Sequence, residues 1–198
     1  MPEATPLPGR RERKKAQTRR LISDAATRLF TERGFDGVTV KEIADAADVS
    51  PTTVFAYFPT KESLVFDEGP DQEEHLVAAV RNRPPGQDVL DAIEAHLLAE
   101  RLTYDHADPQ VRAFLAMVEA TPALREYGRR MTERHEEALA AAVLATEPGT
   151  GELRARALAR FVLGGLDLAS GDRDRRAALV EVIHLIRQGW LGVDRPTG

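Results

Sequence analysis

The sequence predicts an all-α protein. Apolar residues recur at helical spacing in nearly every segment, and no run of alternating β-branched residues suggests a strand. Glycine and proline clusters divide the chain at residues 69–70, 84–86, 108–109, 121–122, 148–151 and 171–172. The stretches between these breaks, roughly 12–25 residues long, have the ordinary lengths of helices in a bundle.

The first predicted helix carries a single apolar stripe and ends at Gly34, because glycine often follows the last helical residue. The stripe consists of Leu21, Ile22, Ala25, Ala26, Leu29 and Phe30. Residues 1–61 hold 11 Lys/Arg against 8 Asp/Glu, a balance of +3 in a chain of net charge −5. The basic residues concentrate in 10–20, and this segment either meets a polyanion or forms a solvated helix start. We expect residues 1–16 to be a disordered basic arm.

Two short helices are predicted within residues 39–58. Thr39 and Glu42 form a capping box that opens the first. Ser50, followed by Pro51 at the first helical position, opens the second. Two short helices joined by a turn of three or four residues form a helix-turn-helix unit.

Helices this short are unstable alone and must pack on the first helix. The predicted small core consists of Phe35, Val38, Ile43, Val54 and Phe58. One residue of the turn at 47–50 needs a left-handed backbone, which Asp48 tolerates better than most non-glycine residues. Pro59 ends the second short helix, and Thr60 is expected to cap a fourth helix that acts as a lever between the domains.

The exposed start of the second short helix holds only short side chains, from Ser50 to Thr53. Short side chains let a helix approach base edges in a major groove, and hydroxyls bond to bases or phosphates. A small capping turn in an unrelated bundle is the alternative interpretation.

Residues 34–50 (GFDGVTVKEIADAADVS) and 53–64 (TVFAYFPTKESL) resemble the DNA-binding domain of the TetR family of regulators, over roughly residues 17–66. The resemblance implies operator DNA as partner. It implies base contacts from Ser50, Pro51 and Thr52, and phosphate contacts from Thr53, Tyr57 and Lys61. It also implies that Thr39 contacts the DNA backbone and that Lys41 contacts either the DNA backbone or a base.

Two residues depart from the family pattern. Asp48 replaces the usual turn glycine. Phe55 stands where a tyrosine often donates to phosphate, so it retains the packing and loses that hydrogen bond. We therefore expect Pro51 and the threonine methyls to contact thymine methyls.

The last two predicted helices, about 151–170 and 174–191, are apolar over more than one face and so have two surfaces to bury. The resemblance implies a two-fold homodimer through these helices, and an internal helix pair of a monomer is the alternative. The predicted interface consists of Phe161, Gly164, Gly165, Leu168, Val182, Ile183, Ile186 and Trp190.

The resemblance also implies a ligand cavity among the middle helices, although these residues are equally compatible with a plain core. Its candidates are Leu97, Leu98, Arg101, Leu102, Tyr104, Phe114, Met117, Val118, Tyr127, Met131 and Phe161. Residues 66–68 and 76–85 resemble a subgroup with a mycofactocin-regulator-like C-terminal domain. That implies an acyl-CoA-like or other hydrophobic effector.

The composition excludes thiol chemistry and disulfides, since there is no cysteine. The scattered histidines predict no metal site, and no motif predicts a catalytic site or a cofactor. No segment is apolar enough for a membrane span or a signal peptide, so we expect a cytoplasmic protein with no membrane partner.

We therefore expect residues 17–66 to bind DNA, 67–192 to bind ligand and dimerise, and 193–198 to form a flexible end. The predicted function is a ligand-responsive repressor at a pseudo-palindromic operator, released by its effector. A helical-bundle enzyme and an interaction protein that does not bind DNA are the alternatives.

Overall fold

The computed structural model describes residues 9–67, 69–100, 108–170, 172 and 174–191. Within these residues the chain is helical and contains no strand, as predicted. None of the described helices is both long and apolar enough to cross a membrane. The helices are α1 (Arg10–Arg33), α2 (Val40–Ala46), α3 (Pro51–Tyr57), α4 (Gly69–Arg81), α5 (Val89–Glu100), α6 (Pro109–Ala120), α7 (Pro122–Thr146), α8 (Glu152–Ser170) and α9 (Arg175–Leu191).

The chain forms two compact units, and the first is discontinuous in sequence. It contains the residues up to Asp67 and also Asp108–Tyr127, which we expected in the second domain. Leu124 is fully buried in the core of this first unit, and the ring of Tyr127 stacks on Phe66 with centroids 5.3 Å apart. The burial of these side chains accounts for the assignment of α6 and the start of α7 to the first unit.

Helix α1 begins at Arg10, so residues 10–16 are helical and not part of a disordered arm. The Gly9 N–H donates to the Glu12 carboxylate at 2.9 Å, and neither glycine nor proline interrupts the helix. The apolar stripe is buried as predicted except for Leu21, which is 50% exposed. Gly34 ends the helix with a φ of +73°. Residues 1–8 and 192–198 lie outside the described part of the chain.

The helix-turn-helix forms as the sequence predicts. The capping box of Thr39 and Glu42 opens α2, and the Ser50 side chain caps α3 with Pro51 in its first turn. The five residues predicted for the small core are all at most 5% exposed. Asp48 has a φ of +53°, which confirms the predicted left-handed turn residue.

The fourth α-helix does not begin at Thr60. The Ser63 N–H donates to Thr60 Oγ1 and the Ser63 hydroxyl to the Thr60 carbonyl, and together they close a single 3₁₀ turn at Glu62–Leu64. These bonds satisfy the N–H and hydroxyl donors of Ser63 locally, so the 3₁₀ turn ends at Leu64. The next helix, α4, begins only at Gly69. The prediction that the fourth helix begins at Thr60 and acts as a lever is therefore wrong about where that helix begins.

The second unit is built on close packing of α8 against α9. A Cβ added to Gly165 would lie 2.2 Å from Val182 Cγ1, so only glycine lets α9 approach this closely. Arg187 on α9 binds the α5 carboxylates of Asp91 at 2.8 Å and Glu94 at 3.1 Å. These contacts set the positions of the three helices within the unit.

Candidate nucleic-acid interface

The start of α3 is exposed, whereas the rest of that helix is anchored in the core. Ser50, Pro51 and Thr52 are exposed, and Val54 is fully buried. Ser50 Oγ accepts the Thr53 N–H at 3.0 Å and lies 2.8 Å from Thr53 Oγ1. The Thr52 hydroxyl has no hydrogen-bond partner among the described residues. Thr52 therefore offers a free hydroxyl at this edge, while the Ser50 oxygen is already used as a cap.

The start of α2 is held by a network around the Glu42 carboxylate. One oxygen accepts the N–H of Thr39 at 2.8 Å and its hydroxyl at 2.7 Å, and the other lies 2.8 Å from Arg33 Nη2. The hydrogen bonds from Thr39, followed by the bond and charge of Arg33, lower the pKa of Glu42 from 4.5 to about 2. The network fixes the end of α2 at Thr39, the residue predicted to contact the DNA backbone.

Glu42→Gln is expected to reduce stability at neutral pH, and the difference from the wild type should shrink on acidification. A carboxylate with a lowered folded-state pKa stabilises the fold above its unfolded pKa. That stabilisation is lost as the pH falls from 4.5 toward about 2. Urea unfolding of both proteins between pH 7 and 2 measures it. Glu32→Gln, on the exposed surface of α1, is the control, and a difference independent of pH would contradict the argument.

The two lysines of the predicted interface are both engaged within the unit. Lys41 Nζ lies 2.9 Å from Asp45 Oδ2, and this hydrogen bond raises the pKa of Lys41. Lys61 Nζ donates to the Phe35 carbonyl at 2.6 Å and lies 4.2 Å from the centroid of the Phe35 ring. Burial lowers the pKa of Lys61, against the opposing charge of Asp36. Since an ammonium has three donors, Lys61 retains hydrogen-bonding capacity toward a phosphate.

The remaining interface candidates on α3 differ in exposure. Thr53 and Tyr57 are half-buried, and Tyr57 packs against the small core. Phe55 is 50% exposed and lies outside that core, contrary to the packing role expected for it. The Phe55 ring is therefore available for an apolar contact with a molecule bound at α3.

The basic residues of α1 differ in burial. The exposed cations at the start of the helix are Arg10, Arg11, Arg13, Lys14 and Lys15. Arg19, by contrast, is half-buried: its guanidinium lies 4.8 Å from the Phe58 ring centroid, bonds the Asp67 carbonyl at 3.0 Å and pairs with the Asp67 carboxylate. Arg19 therefore stabilises the first unit, whereas the exposed cations that precede it can meet a polyanion.

Comparison with known proteins identifies the family. Residues 22–67 match the profile of the bacterial regulatory proteins of the tetR family. The chain is also 32% identical to the HTH-type transcriptional regulator MT1294 of Mycobacterium tuberculosis over 177 residues, 82% of this chain and 81% of that one. This chain belongs to the TetR family of transcriptional regulators.

Other TetR-family similarities support the same assignment. The chain is 32% identical to TcmR of Streptomyces glaucescens over 71% of its length and 65% of TcmR. It is 30% identical, over 60% of each chain, to MftR of Mycobacterium tuberculosis, whose name connects it with mycofactocin biosynthesis. The match thus spans less than two thirds of these two relatives.

A solved structure shares the fold. It is a regulator from Mesorhizobium loti assigned to the TetR family, with a TM-score of 0.57 and 21% identity over 89% of this chain and 96% of that one. The names of these relatives describe regulators of transcription.

The effector-site candidates of this TetR-family chain are divided between the two units. Met117 and Val118 pack against the core of the first unit, while Leu97 is buried and Leu98 half-buried in the second. Three further candidates are half-buried: Phe114, Tyr127 and Met131. Arg101, Leu102 and Tyr104 lie outside the described residues. Which of these residues bind an effector stays a prediction.

Most of the predicted dimer interface lines an apolar groove of about 700 Å³ on the surface of α8 and α9. The predicted residues in the groove are Phe161, Gly164, Gly165, Leu168, Val182 and Ile186. Ile183 is instead fully buried in the core of its own unit, because it lies on the face of α9 that packs inward. The Trp190 side chain lies outside the described part of the structure. Leu185 and Gly189, which the sequence analysis did not select, also line the groove.

Proposed function

We propose that this TetR-family regulator is a ligand-responsive repressor that binds a pseudo-palindromic operator as a two-fold dimer. The observation that carries the proposal is the exposed, short-chained start of α3, held on a buried core by Val54 and Phe58. A helix presented in this way approaches base edges closely. Two copies related by a two-fold axis read two half-sites, which gives the selectivity that one copy lacks.

The contacts we propose follow from which side chains are free. The Thr52 hydroxyl is free to bond a base edge, and its methyl and the Pro51 ring suit a thymine methyl. The residues proposed to contact phosphates are Tyr57, Lys61 and the exposed cations of α1. Operator binding places the protein with the chromosome in the cytoplasm.

Thr52→Asp is expected to weaken operator binding about 100-fold, because a carboxylate then faces the phosphates and a base contact is lost. The folded state should keep its stability, since an acidic residue in the first turn of a helix is favourable. Fluorescence anisotropy with a labelled duplex from upstream of its own gene, at fixed salt, measures the change. Thr132→Asp adds the same charge to the exposed surface of α7 and should bind like the wild type. A folded Thr52→Asp variant with unchanged affinity would contradict the proposal.

The effector class proposed is a small apolar or acyl-type compound, supported by the subgroup resemblance of residues 66–68 and 76–85. Release follows if the effector binds more tightly to a conformation whose two α3 helices do not match successive grooves. In the same assay, palmitoyl-CoA is expected to release the duplex and free coenzyme A is not. A thermal midpoint unchanged by palmitoyl-CoA, with the duplex still bound, would remove the acyl-type effector and leave DNA binding intact.

A further inference from the structure

The outward face of α3 is apolar apart from one hydroxyl group. We name Pro51, Thr52, Phe55 and Ala56 the α3 face, because residues at i, i+1, i+4 and i+5 share one side of a helix. All four residues are exposed, and the side chain of Phe55 is 50% exposed. Val54, which points away from this face, is fully buried. The α3 face therefore offers an apolar surface to a molecule that binds there.

The α3 helix has no side chain that binds a base through two hydrogen bonds. Arginine, lysine, asparagine and glutamine make such contacts, and none of them occurs between Pro51 and Tyr57. The acidic residues that accept from cytosine are also absent from this helix. Its polar groups are hydroxyls, and the Thr52 hydroxyl has no hydrogen-bond partner among the described residues. A hydroxyl both donates and accepts, so it bonds to the O4 of thymine as well as to the N4 amino group of cytosine.

The two lysines of the predicted interface do not change this property of α3. Lys41 belongs to α2, and its Nζ lies 2.9 Å from Asp45 Oδ2. Lys61 follows α3, and its Nζ donates to the Phe35 carbonyl at 2.6 Å. Both ammonium groups therefore have an acceptor within the unit. The groups that α3 itself presents to a base are hydroxyls and apolar side chains.

The feature of a base that such a face distinguishes is the C5-methyl group. In the major groove thymine differs from cytosine by O4 in place of the N4 amino group and by a methyl group in place of hydrogen at C5. The hydroxyls bond to either group at position 4, whereas the apolar side chains gain only from burial of the methyl group. 5-Methylcytosine carries the methyl group of thymine and the amino group of cytosine. The α3 face therefore has no group that rejects it.

We propose that α3 recognises pyrimidines by their C5-methyl group, and that 5-methylcytosine replaces thymine in the base pairs that face α3. The inference rests on the proposed operator binding and deepens it, because it names the feature of the duplex that α3 selects. It also makes operator affinity sensitive to cytosine methylation, because the added methyl group supplies a contact that the unmodified base pair lacks.

Removal of thymine methyl groups tests the first part of the proposal. The duplex from upstream of the protein's own gene is prepared with deoxyuridine in place of thymidine, first throughout and then at one position at a time. A buried methyl group contributes about 4-fold in affinity, so the loss of one in each half-site is expected to weaken binding about 15-fold. Fluorescence anisotropy at fixed salt measures the change. Single replacements that weaken binding locate the base pairs that face α3.

A change of the protein shows whether the α3 face is the source of the preference. Thr52→Ser keeps the hydroxyl and removes the methyl group, and Phe55→Ala removes the exposed ring. In the variant with both changes, the ratio of affinities for the thymine and deoxyuridine duplexes should fall from about 15 to below about 4. Thr132→Ser, on the exposed surface of α7, is the control and should keep the wild-type ratio. A wild-type ratio in the double variant would overturn the proposal.

Replacement by cytosine tests the second part of the proposal. At the located base pairs, cytosine or 5-methylcytosine is placed opposite guanine in both half-sites. The 5-methylcytosine duplex is expected to bind within about 2-fold of the thymine duplex, and the cytosine duplex about 15-fold more weakly. The same replacements at a base pair where deoxyuridine has no effect provide the control. Binding of 5-methylcytosine as weak as that of cytosine would overturn the proposal, because the group at position 4 is then the one that is read.

The outcomes separate this inference from the proposed function. A wild-type protein that binds the thymine and deoxyuridine duplexes alike, and prefers both to an unrelated duplex of the same length, overturns the inference alone. A wild-type protein that prefers neither duplex to the unrelated one overturns the operator binding on which the inference rests.

Discussion

Leucine at Gly165 is expected to lower the free energy of unfolding by about 2 kcal/mol, because it overpacks the contact between α8 and α9. A Cβ there would lie 2.2 Å from Val182 Cγ1 and 3.8 Å from Ile186 Cδ1. Val182 is β-branched and therefore stiff, so the helices must separate to admit the new side chain. The higher helix propensity of leucine offsets only about 0.8 kcal/mol of this cost. Urea unfolding followed by circular dichroism provides the measurement.

The same substitution at the neighbouring Gly164 is expected to act on association and not on the fold. A Cβ there meets nothing within 4 Å, so leucine should stabilise the separate subunit by up to about 1 kcal/mol through helix propensity. It also places a large side chain in the apolar groove of the proposed dimer interface, and the variant should sediment as a monomer. Unfolding is compared at several protein concentrations, since dissociation contributes to the apparent stability of a dimer. Equal losses of stability in both variants would contradict the assignment of separate roles.

The sequence predicted the parts of the fold that local chemistry determines. The caps at Thr39 and Ser50, the left-handed Asp48 and the end of α1 at Gly34 each depend on a few neighbouring residues, and the structure confirms all four. The helix breaks were predicted for the same reason, because glycine and proline act on their own backbone. The exposed start of α3 followed from the same local pattern.

The parts that sequence did not predict depend on contacts between distant segments. Leu124 has no local signal that assigns it to the core of the first unit, where its partners lie more than fifty residues earlier in the chain. In the sequence, Arg19 was one more cation of the basic segment 10–20, because its contacts with Phe58 and Asp67 exist only in the fold. Gly164 and Gly165 are indistinguishable in the sequence for the same reason. Their surroundings differ only because α9 packs against Gly165.

Truncation of Phe58 to alanine is expected to destabilise the first unit by about 3–5 kcal/mol, the usual cost of removing a buried phenylalanine side chain. Phe58 is 1% exposed, packs in the small core and carries the Arg19 guanidinium over its ring at 4.8 Å. Its backbone, with φ −131° and ψ 97°, has already left the helix. Helical periodicity therefore does not determine where this side chain points, yet the sequence analysis placed Phe58 in the small core, and the structure confirms it.

Phe55→Ala is the matched control, because it makes the same truncation three residues earlier, at a ring that is 50% exposed. Its free energy of unfolding should change by no more than about 0.5 kcal/mol, as for other surface positions. Its operator affinity should fall by about 10-fold, because an apolar contact to the duplex is lost while the fold persists. Urea unfolding and duplex anisotropy on both variants separate the two roles. If Phe55→Ala unfolds as readily as Phe58→Ala, the Phe55 ring has a role in the fold that its exposure does not predict. If Phe55→Ala binds the operator like the wild type, the exposed ring is not part of the DNA-facing surface.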